Sequence, residues 1–190
     1  EVMQKGEISS DISTGIKTNF KEAYVFDEDK SNIPIENELL HPVLDGSDID
    51  RYSSTNVNKY IIYPYEKTES GLSPIELSEY PRAKSHFEEH RNELSERLFY
   101  EKTIEEMGKL WFEFPYTSQN LLKPKLLFPD ISTKPKTTYD TDGNVLILNT
   151  AYGVVLDDER DLETKFVCSL FNSSVLRFAF ETISPQLSGG

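Results

Sequence analysis

The chain has 190 residues and a formal net charge of −13, which repels polyanions at long range and counts against a free-standing nucleic-acid-binding protein. Any such role needs a local basic surface. A single cysteine, Cys168, excludes an internal disulfide framework and a cysteine-rich zinc site, and no apolar run approaches the roughly 18 residues that a membrane span requires.

The aromatic content is high, with ten tyrosines, eleven phenylalanines and one tryptophan, which indicates a packed body despite the charge. No low-complexity stretch or internal repeat divides the sequence, so we expect one domain over residues 1–190. The lone cysteine and the lack of a signal peptide favour a soluble, cytoplasmic protein. Because the sequence begins Glu1-Val2-Met3 and ends Ser188-Gly189-Gly190, we expect it to be a fragment of a longer polypeptide.

The N-terminal stretch predicts two strands joined by a tight polar loop. Residues 8–16 lead into GIKTNF, in which Gly15 and a Thr-Asn pair mark the turn and Lys17 lies at its crown. Residues 23–26 then read as a short strand that three acidic residues close.

Two further strands are expected around a second turn. The segment HPVLDGSDIDRY, residues 41–52, begins as an extended piece, turns at Asp45-Gly46 and carries Arg51. Residues 59–63 form an aromatic and β-branched strand that Pro64 ends.

A helix is predicted next, with Ser78 as its N-cap and Pro81 in its first turn. One apolar face at helical spacing is expected to cover a sheet, and it consists of Ala83, Phe87, Leu94 and Leu98. The following KLWFEF, residues 109–114, predicts an aromatic strand or turn with Trp111 in the core.

The stretch from 121 to 156 predicts the central part of a mostly antiparallel sheet. Its apolar strands are residues 125–128, 145–148 and 152–156. Turn chemistry at Asp142-Gly143-Asn144 and Asn149-Thr150 separates them.

Residues 121–139 form a basic segment within this acidic chain. They hold four lysines against one acid, namely Lys123, Lys125, Lys134 and Lys136 against Asp130. Such a segment suits phosphate oxygens, and Ser132 and Thr133 suit base edges. The alternative is a solvated hairpin whose lysines protect an edge strand from aggregation.

The C-terminal part predicts two short helices that Asn172-Ser173-Ser174 separates. The first begins at Asp161 and the second spans residues 175–182. The apolar residues at helical spacing are Leu162, Phe166, Val167, Leu170, Leu176, Ala179 and Phe180. Cys168 is expected to be buried in the apolar face of the first helix, and residues 184–190 are expected to form a flexible loop.

Catalytic motifs are weak. His86-Phe87-Glu88-Glu89-His90 matches an H-x-x-E-H zinc-peptidase spacing, but it lies in a strongly charged helix without an evident third ligand. The acid pairs Asp48/Asp50 and Asp157/Asp158 are typical of caps and turns. Composition and spacing therefore predict a binding or interaction domain with no catalytic residues and no metal.

Seven stretches, in order along most of the chain, resemble one family. They are GIKTNFKEAYVF (15–26), HPVLDGSDIDRY (41–52), YP (80–81), KLWFEF (109–114), KPKLLFPDIS (123–132), NTAYGVV (149–155) and LFNSS (170–174). Together they are similar to the TaqI-like C-terminal specificity domain. That domain is the target-recognition module of adenine-specific DNA methyltransferases and type II restriction-modification enzymes, and it is similar to type I specificity subunits.

The resemblance implies an α+β fold, with a mixed, mostly antiparallel twisted sheet and a few packed helices, that reads duplex DNA. A catalytic methyltransferase domain of the same polypeptide would bind S-adenosylmethionine and flip the adenine. This chain lacks the Asn-Pro-Pro-Tyr motif of such domains, so we expect neither catalysis nor a cofactor in it.

The residues expected to contact DNA lie in three places along the chain. They are Lys17, Thr18, Asn19, Arg51, Lys123, Lys125, Ser132, Thr133, Lys134 and Lys136. The lysines and Arg51 would contact phosphates, while Asn19, Ser132 and Thr133 would contact base edges. The two alternative functions are a protein–protein interaction module and, more remotely, a zinc-dependent hydrolase.

Overall fold

The computed structural model describes residues 9–53, 58–69, 71–156 and 161–183, with side chains described from residue 11 and, in the last range, from residue 164. The strands are β1 (Ser9–Thr14), β2 (Val25–Phe26), β3 (Leu40–Leu44), β4 (Tyr60–Ile62), β5 (Tyr65–Thr68), β6 (Gly71–Pro74), β7 (Leu98–Phe99), β8 (Lys102–Thr103), β9 (Lys125–Pro129), β10 (Thr138–Asp140), β11 (Leu146–Ile147) and β12 (Ala151–Leu156). The α-helices are α1 (Pro81–Glu89), α2 (Arg91–Glu96), α3 (Asp161–Phe171) and α4 (Ser174–Ile183). The predictions for Ile8, for the Asp157/Asp158 pair, for the Leu162 side chain and for residues 184–190 lie outside the described residues.

Two of the strands predicted between residues 121 and 156 lie in a four-stranded antiparallel sheet with the order β1-β12-β9-β10. β9 and β12 match the predicted ranges 125–128 and 152–156, with one residue added to each. Phe128 pairs with Tyr152, and Leu127 pairs with Thr138. These two strand predictions are confirmed.

The second sheet, with the order β11-β3-β4-β2, mixes strand directions. β11, predicted over residues 145–148, runs parallel to β3, with Leu146 opposite Val43, while the β3–β4 and β4–β2 pairs are antiparallel. The strand predicted over residues 23–26 is shorter, because Lys21–Ala23 forms a 3-10 turn before β2. The predicted α+β class, with a mixed and mostly antiparallel sheet, is confirmed.

Gly15 allows two segments to cross closely just after β1. A β-carbon at this position would lie 2.2 Å from the backbone oxygen of Leu148, so only glycine fits. The Ile16 amide donates to the Ile147 carbonyl across the crossing. Gly15 is therefore required for a contact between distant segments, beyond the turn that the sequence predicts.

Buried apolar side chains form two clusters that share β9. Consecutive strand residues point to opposite faces, so Leu127 enters the larger cluster while Leu126 enters a smaller one with Val154 and Cys168. Each buried leucine contributes about 1.5–3 kcal/mol of stability. The continuous apolar run of β9 is thus explained by burial on both faces.

Aromatic rings fill the larger cluster. The ring of Tyr24 lies 5.4 Å from that of Phe87 and 4.9 Å from that of Phe114, and its hydroxyl donates to the Phe112 carbonyl at 2.8 Å. Trp111 is buried as predicted, and its segment forms turns rather than a strand. Burial raises the pKa of Tyr24 well above its usual value.

Glu36 caps α1 from outside the helix. Its Oε1 accepts a hydrogen bond from the Arg82 amide at 2.8 Å, and its Oε2 accepts one from the Ala83 amide at 2.9 Å. The prediction that Ser78 caps the helix is wrong, because Ser78 lies in the preceding 3-10 turn Leu77–Glu79 and the helix begins at Pro81. A distant carboxylate satisfies the free amides instead.

The predicted helical face is only partly realised. Ala83, Phe87 and Leu94 are buried as expected, but the helix breaks at His90 and α2 ends at Glu96. Leu98, predicted on the same apolar face, lies exposed in the short strand β7.

The C-terminal helices match their predicted positions, while part of the predicted packing is wrong. Cys168 is buried as predicted, but Phe166 and Leu170, predicted to pack inwards, are exposed. Within the described ranges, the helices include none with the length and apolar character needed to cross a bilayer.

Candidate nucleic-acid interface

Within the predicted basic segment 121–139, residues 130–137 form the loop that connects β9 to β10. At its start, the Asp130 amide donates to the Thr150 carbonyl at 2.8 Å, and at its end the Thr137 hydroxyl donates to the Leu127 carbonyl at 3.0 Å. The exposed residues between these ends include Ile131, Thr133 and Lys134. The loop is therefore fixed at both ends and presents its central side chains to solvent.

A cleft of about 350 Å³ lies between this loop and two other turns. Its lining residues are Gly46, Ser47, Asp130, Ile131, Ser132, Thr133, Lys136 and Thr150. These residues offer hydroxyl groups, backbone groups, the ammonium group of Lys136 and the carboxylate of Asp130. Such groups can hydrogen-bond to phosphate oxygens and to base edges.

Gly46 brings one wall of the cleft against another. Its amide donates to Thr150 Oγ1 at 2.9 Å, and a β-carbon here would lie 2.1 Å from the Thr150 carbonyl oxygen. The Asp-Gly turn that the sequence predicts is thus tied to the Asn149-Thr150 turn, more than one hundred residues away.

An ion network lies next to Gly46. Lys59 Nζ lies 3.0 Å from Asp45 Oδ2 and 2.6 Å from Asp48 Oδ2, and Lys21 Nζ also reaches Asp45 at 3.0 Å. Partial burial would raise the pKa of Asp45, but hydrogen bonds from the two lysines outweigh it and lower that pKa. Two ammonium groups therefore offset the carboxylates of Asp45 and Asp48 beside the cleft.

Arg51 braces the 130–137 loop. Its Nε donates to the Pro135 carbonyl at 3.1 Å, which joins the 41–52 segment to the loop. Its buried Nη2 has no hydrogen-bond partner among the described residues. Ser132 Oγ donates to the Lys134 carbonyl at 2.6 Å and closes a turn within the loop. Arg51 thus positions residues that the sequence assigned to the same surface.

The chain matches a known family over most of its length. The profile of the TaqI-like C-terminal specificity domain matches residues 41–190. The chain belongs to this family. Its relatives include the type II methyltransferase M.BanIII of Aneurinibacillus aneurinilyticus, 26% identical over 83% of this chain, and the type II methyltransferase M.BstVI of Geobacillus stearothermophilus, 28% identical over 95% of it. The matched region spans 27% of the length of the first and 30% of the second.

The structure brings five of the predicted residues of this specificity domain together. Ser132, Thr133 and Lys136 line the cleft, Lys134 lies exposed on the same loop, and Arg51 bonds to that loop. This group is the compact part of the candidate interface.

The Lys17–Asn19 group lies elsewhere, against β7. Asn19 Nδ2 donates to the Leu98 carbonyl at 2.6 Å, and Lys17 Nζ lies 5.6 Å from the centre of the Phe99 ring. Thr18 is buried, so its side chain is not available to a base, and of the three only Lys17 is exposed. The amide of Asn19 stabilises its own loop.

The prediction that Lys125 contacts a phosphate is wrong, because Lys125 is a core residue. Its side chain is wholly buried, with Nζ 2.6 Å from Asp140 Oδ2 and 3.2 Å from the Lys123 carbonyl. Lys123 remains exposed, but it does not line the cleft. Of the two lysines nearest β9, only Lys123 could meet a phosphate.

Sequence reasoning missed the contribution of Gly46, Ser47 and Thr150 to the cleft. Gly46 and Thr150 lie in turns that the sequence predicts, and Ser47 follows the first of them, but nothing in the sequence indicated that the two turns meet. The exposed Ile131 was also missed, since an isolated apolar residue in a loop carries no pattern.

The H-x-x-E-H motif forms no metal site among the described residues. His86 Nε2 lies 3.0 Å from the Ala23 carbonyl, and its ring packs edge-on against that of His90 with centroids 5.0 Å apart. Burial lowers the pKa of His86. These contacts give His86 a packing role within the described part of the chain.

Proposed function

We propose that this chain is the target-recognition domain of a restriction-modification adenine DNA methyltransferase and that it holds duplex DNA with the cleft and the 130–137 loop. One observation carries the proposal: Ser132, Thr133 and Lys136 meet at a single cleft in a TaqI-like specificity domain. The similarity to two type II methyltransferases supports the same function.

Different residues of the loop would have different tasks. Lys134 and Lys136 would contact phosphate oxygens and set the position of the duplex, without distinguishing one sequence from another. The exposed hydroxyls of Thr133 and Ser47 are the candidates for base contacts. The Ser132 hydroxyl donates within the loop, so its contribution is to shape the turn.

The charge distribution supports a local and weak interface. The chain carries −13 overall, while lysines offset Asp45 and Asp48 beside the cleft. A duplex would therefore be attracted near Lys134 and Lys136 and repelled by most of the remaining surface. We expect weak binding by the chain alone and stronger binding by the complete enzyme.

Methyl transfer is assigned to the rest of the parent polypeptide. This chain corresponds to less than a third of the length of its methyltransferase relatives and lacks the Asn-Pro-Pro-Tyr sequence. S-adenosylmethionine would bind in that other portion. The isolated chain, supplied with DNA and S-adenosylmethionine, is expected to show neither methyltransferase nor nuclease activity.

The salt dependence of DNA binding tests the interface. Each phosphate contact contributes a slope of about −0.9 to log K against log salt concentration. In the complete enzyme, changing both Lys134 and Lys136 to alanine should flatten this slope by roughly 1 to 2 units and weaken all duplexes similarly. Fluorescence anisotropy over a salt series measures both effects.

The matched control changes Lys67 and Lys84, two exposed lysines on β5 and α1, to alanine. It removes the same charge and should leave the slope nearly unchanged. An unaltered affinity and slope in the Lys134/Lys136 variant would contradict the proposal. The loop would then be the solvated hairpin beside β10, which is an edge strand of its sheet.

A further inference from the structure

The last described helix, α4, exposes three of its large apolar side chains and leaves two more half-buried. It contains five apolar residues with large side chains, Val175, Leu176, Phe178, Phe180 and Ile183, and none of its ten residues is buried against the described part of the chain. Val175, Phe178 and Ile183 are 75%, 74% and 79% exposed. On α3, one turn apart, Phe166 and Leu170 are 65% and 44% exposed.

A helix of this length needs packing to be stable. Isolated helices shorter than about 12–15 residues are marginal in water, and most of their stability in proteins comes from burying an apolar face. α4 has ten residues and no buried one. Its apolar side chains therefore require a cover that the described residues do not supply.

The exposed apolar area is comparable to that of a functional surface patch and would form the apolar part of an interface. A phenylalanine side chain can bury about 150–250 Å². The five residues that are mainly exposed therefore leave on the order of 500 Å² of apolar surface uncovered, and they are Val175, Phe178 and Ile183 on α4 and Phe166 and Leu170 on α3. The largest apolar patch on a typical monomer is about 300–600 Å² and is often functional, and a standard interface buries about 800 Å² per partner.

The position of α4 indicates the occupant. Asn172, in the short connection between α3 and α4, accepts a hydrogen bond from the Thr137 amide at 3.1 Å and donates one to the Thr137 carbonyl at 2.9 Å. The start of α4 therefore lies beside the C-terminal end of the proposed DNA-binding loop. A catalytic portion that acts on DNA held by this loop must also lie close to it.

We infer that α4, together with the outer face of α3, is the docking surface for the catalytic portion of the same methyltransferase polypeptide. This inference rests on the proposed function, since it takes the chain to work within a longer enzyme. The relatives support that view, because 70% or more of their length lies beyond the region that matches. The partner surface is expected to be apolar where it meets Phe178 and Phe166.

Thiol labelling tests the docking surface. Leu170→Cys and Phe178→Cys are made separately in the 190-residue chain and in the complete enzyme, and Glu105→Cys, at an exposed turn, is the control. The native Cys168 is buried and should react slowly in all of them. We expect positions 170 and 178 to label roughly tenfold or more slowly in the complete enzyme, and position 105 to label equally in both.

Amide hydrogen exchange of residues 174–183 in the unsubstituted proteins gives a second measurement that no substitution can disturb. It should be fast in the 190-residue chain and slow in the complete enzyme. Equal labelling and exchange in both proteins would overturn the inference. So would a reading frame without a catalytic portion, or a chain that sediments as a dimer with positions 170 and 178 already protected, since a second copy would then be the occupant.

The salt-slope experiment separates the two proposals. If α4 is protected in the complete enzyme but the Lys134/Lys136 variant keeps its DNA affinity, the docking surface is supported and the DNA-binding role of the loop is contradicted. If the variant has a flatter salt slope but α4 remains exposed in the complete enzyme, the DNA-binding role of the loop is supported and the docking surface is contradicted.

Discussion

Lys125 and Asp140 face each other across the β9–β10 pair, with Lys125 Nζ 2.6 Å from Asp140 Oδ2 and both side chains almost fully buried. Asp140 also accepts hydrogen bonds from the amides of Gly143 and Val145 at 3.1 and 3.2 Å. Burial lowers the pKa of Lys125, while the neighbouring carboxylate opposes this effect. The pair therefore joins two strands to the turn that follows them.

Lys125→Met should strongly destabilise the fold. It removes the ammonium and leaves the Asp140 carboxylate buried without its counter-ion, which costs about 3–5 kcal/mol of unfolding free energy. Urea denaturation measures the loss. Lys123→Met, two residues earlier and exposed, is the control and should change stability by no more than about 0.5 kcal/mol. A stable Lys125→Met variant with weakened DNA binding would contradict this prediction and indicate that Lys125 contacts DNA.

The contribution of Glu36 to stability should depend on pH. Burial would raise the pKa of this carboxyl, but the hydrogen bonds from the Arg82 and Ala83 amides outweigh it, and the folded-state pKa is lowered. A lowered folded-state pKa means that the stabilisation is complete above the unfolded pKa and is lost as the pH falls through the folded one.

We therefore expect Glu36→Gln to cost about 1–2 kcal/mol at pH 7. The difference from the unsubstituted protein should begin to shrink as the pH falls below the unfolded-state pKa of about 4.3 and should be lost as the pH falls through the lowered folded-state pKa. Denaturation midpoints at several pH values measure this, and Glu38→Gln, at an exposed position in the same segment, is the control. A difference that does not change with pH would show that the carboxylate does not cap α1.

Arg97 is a buried hub that connects distant segments. Its guanidinium donates to the carbonyls of Leu94, Thr18, Trp111 and Glu113 at distances between 2.7 and 3.0 Å. Lysine cannot reproduce this planar set of donors. The Thr18 contact means that Arg97 also fixes the loop that carries Lys17.

Arg97→Lys should lower the free energy of unfolding by about 2–4 kcal/mol, because several carbonyls lose a charged donor in a buried site. Arg82→Lys, at an exposed helix position, should change it by less than about 1 kcal/mol. Urea denaturation of the two variants in parallel makes the comparison. Similar small losses in both would mean that the carbonyls around Arg97 find other donors.

The strands between residues 121 and 156 were predictable because local patterns determine them. β9 and β12 are apolar runs bounded by Pro129 and by the Asn149-Thr150 turn, and the structure keeps these limits within one residue. The parallel β11–β3 pair was not predictable, since it joins segments about one hundred residues apart and leaves no periodic signal.

The candidate site was predictable in part for the same reason. Ser132, Thr133, Lys134 and Lys136 are neighbours in sequence, so their shared position follows from one loop. In the sequence, Lys125 cannot be distinguished from the other lysines of the basic segment, and only its ion pair with Asp140 on β10 shows that it is buried. Burial of a single charged residue depends on tertiary contacts, which composition and spacing do not contain.

Thr133 should affect which DNA sequence is preferred. Its side chain is exposed at the cleft next to Lys134, and its hydroxyl can donate to and accept from base edges. Thr133→Val keeps the shape and removes the hydroxyl. In the complete enzyme we expect a changed ranking of target duplexes, with about 1–3 kcal/mol of discrimination lost at one base position.

Competition binding with duplexes that differ at single base pairs measures this ranking. Asn19→Ala is the informative comparison, because the Asn19 side-chain amide donates to the Leu98 carbonyl and its loss should lower stability without changing the ranking. The lysine substitutions should weaken all duplexes alike. If Thr133→Val also weakens every duplex by the same factor, Thr133 serves only to shape the loop, and base recognition must be assigned to other residues such as Ser47 or Lys17.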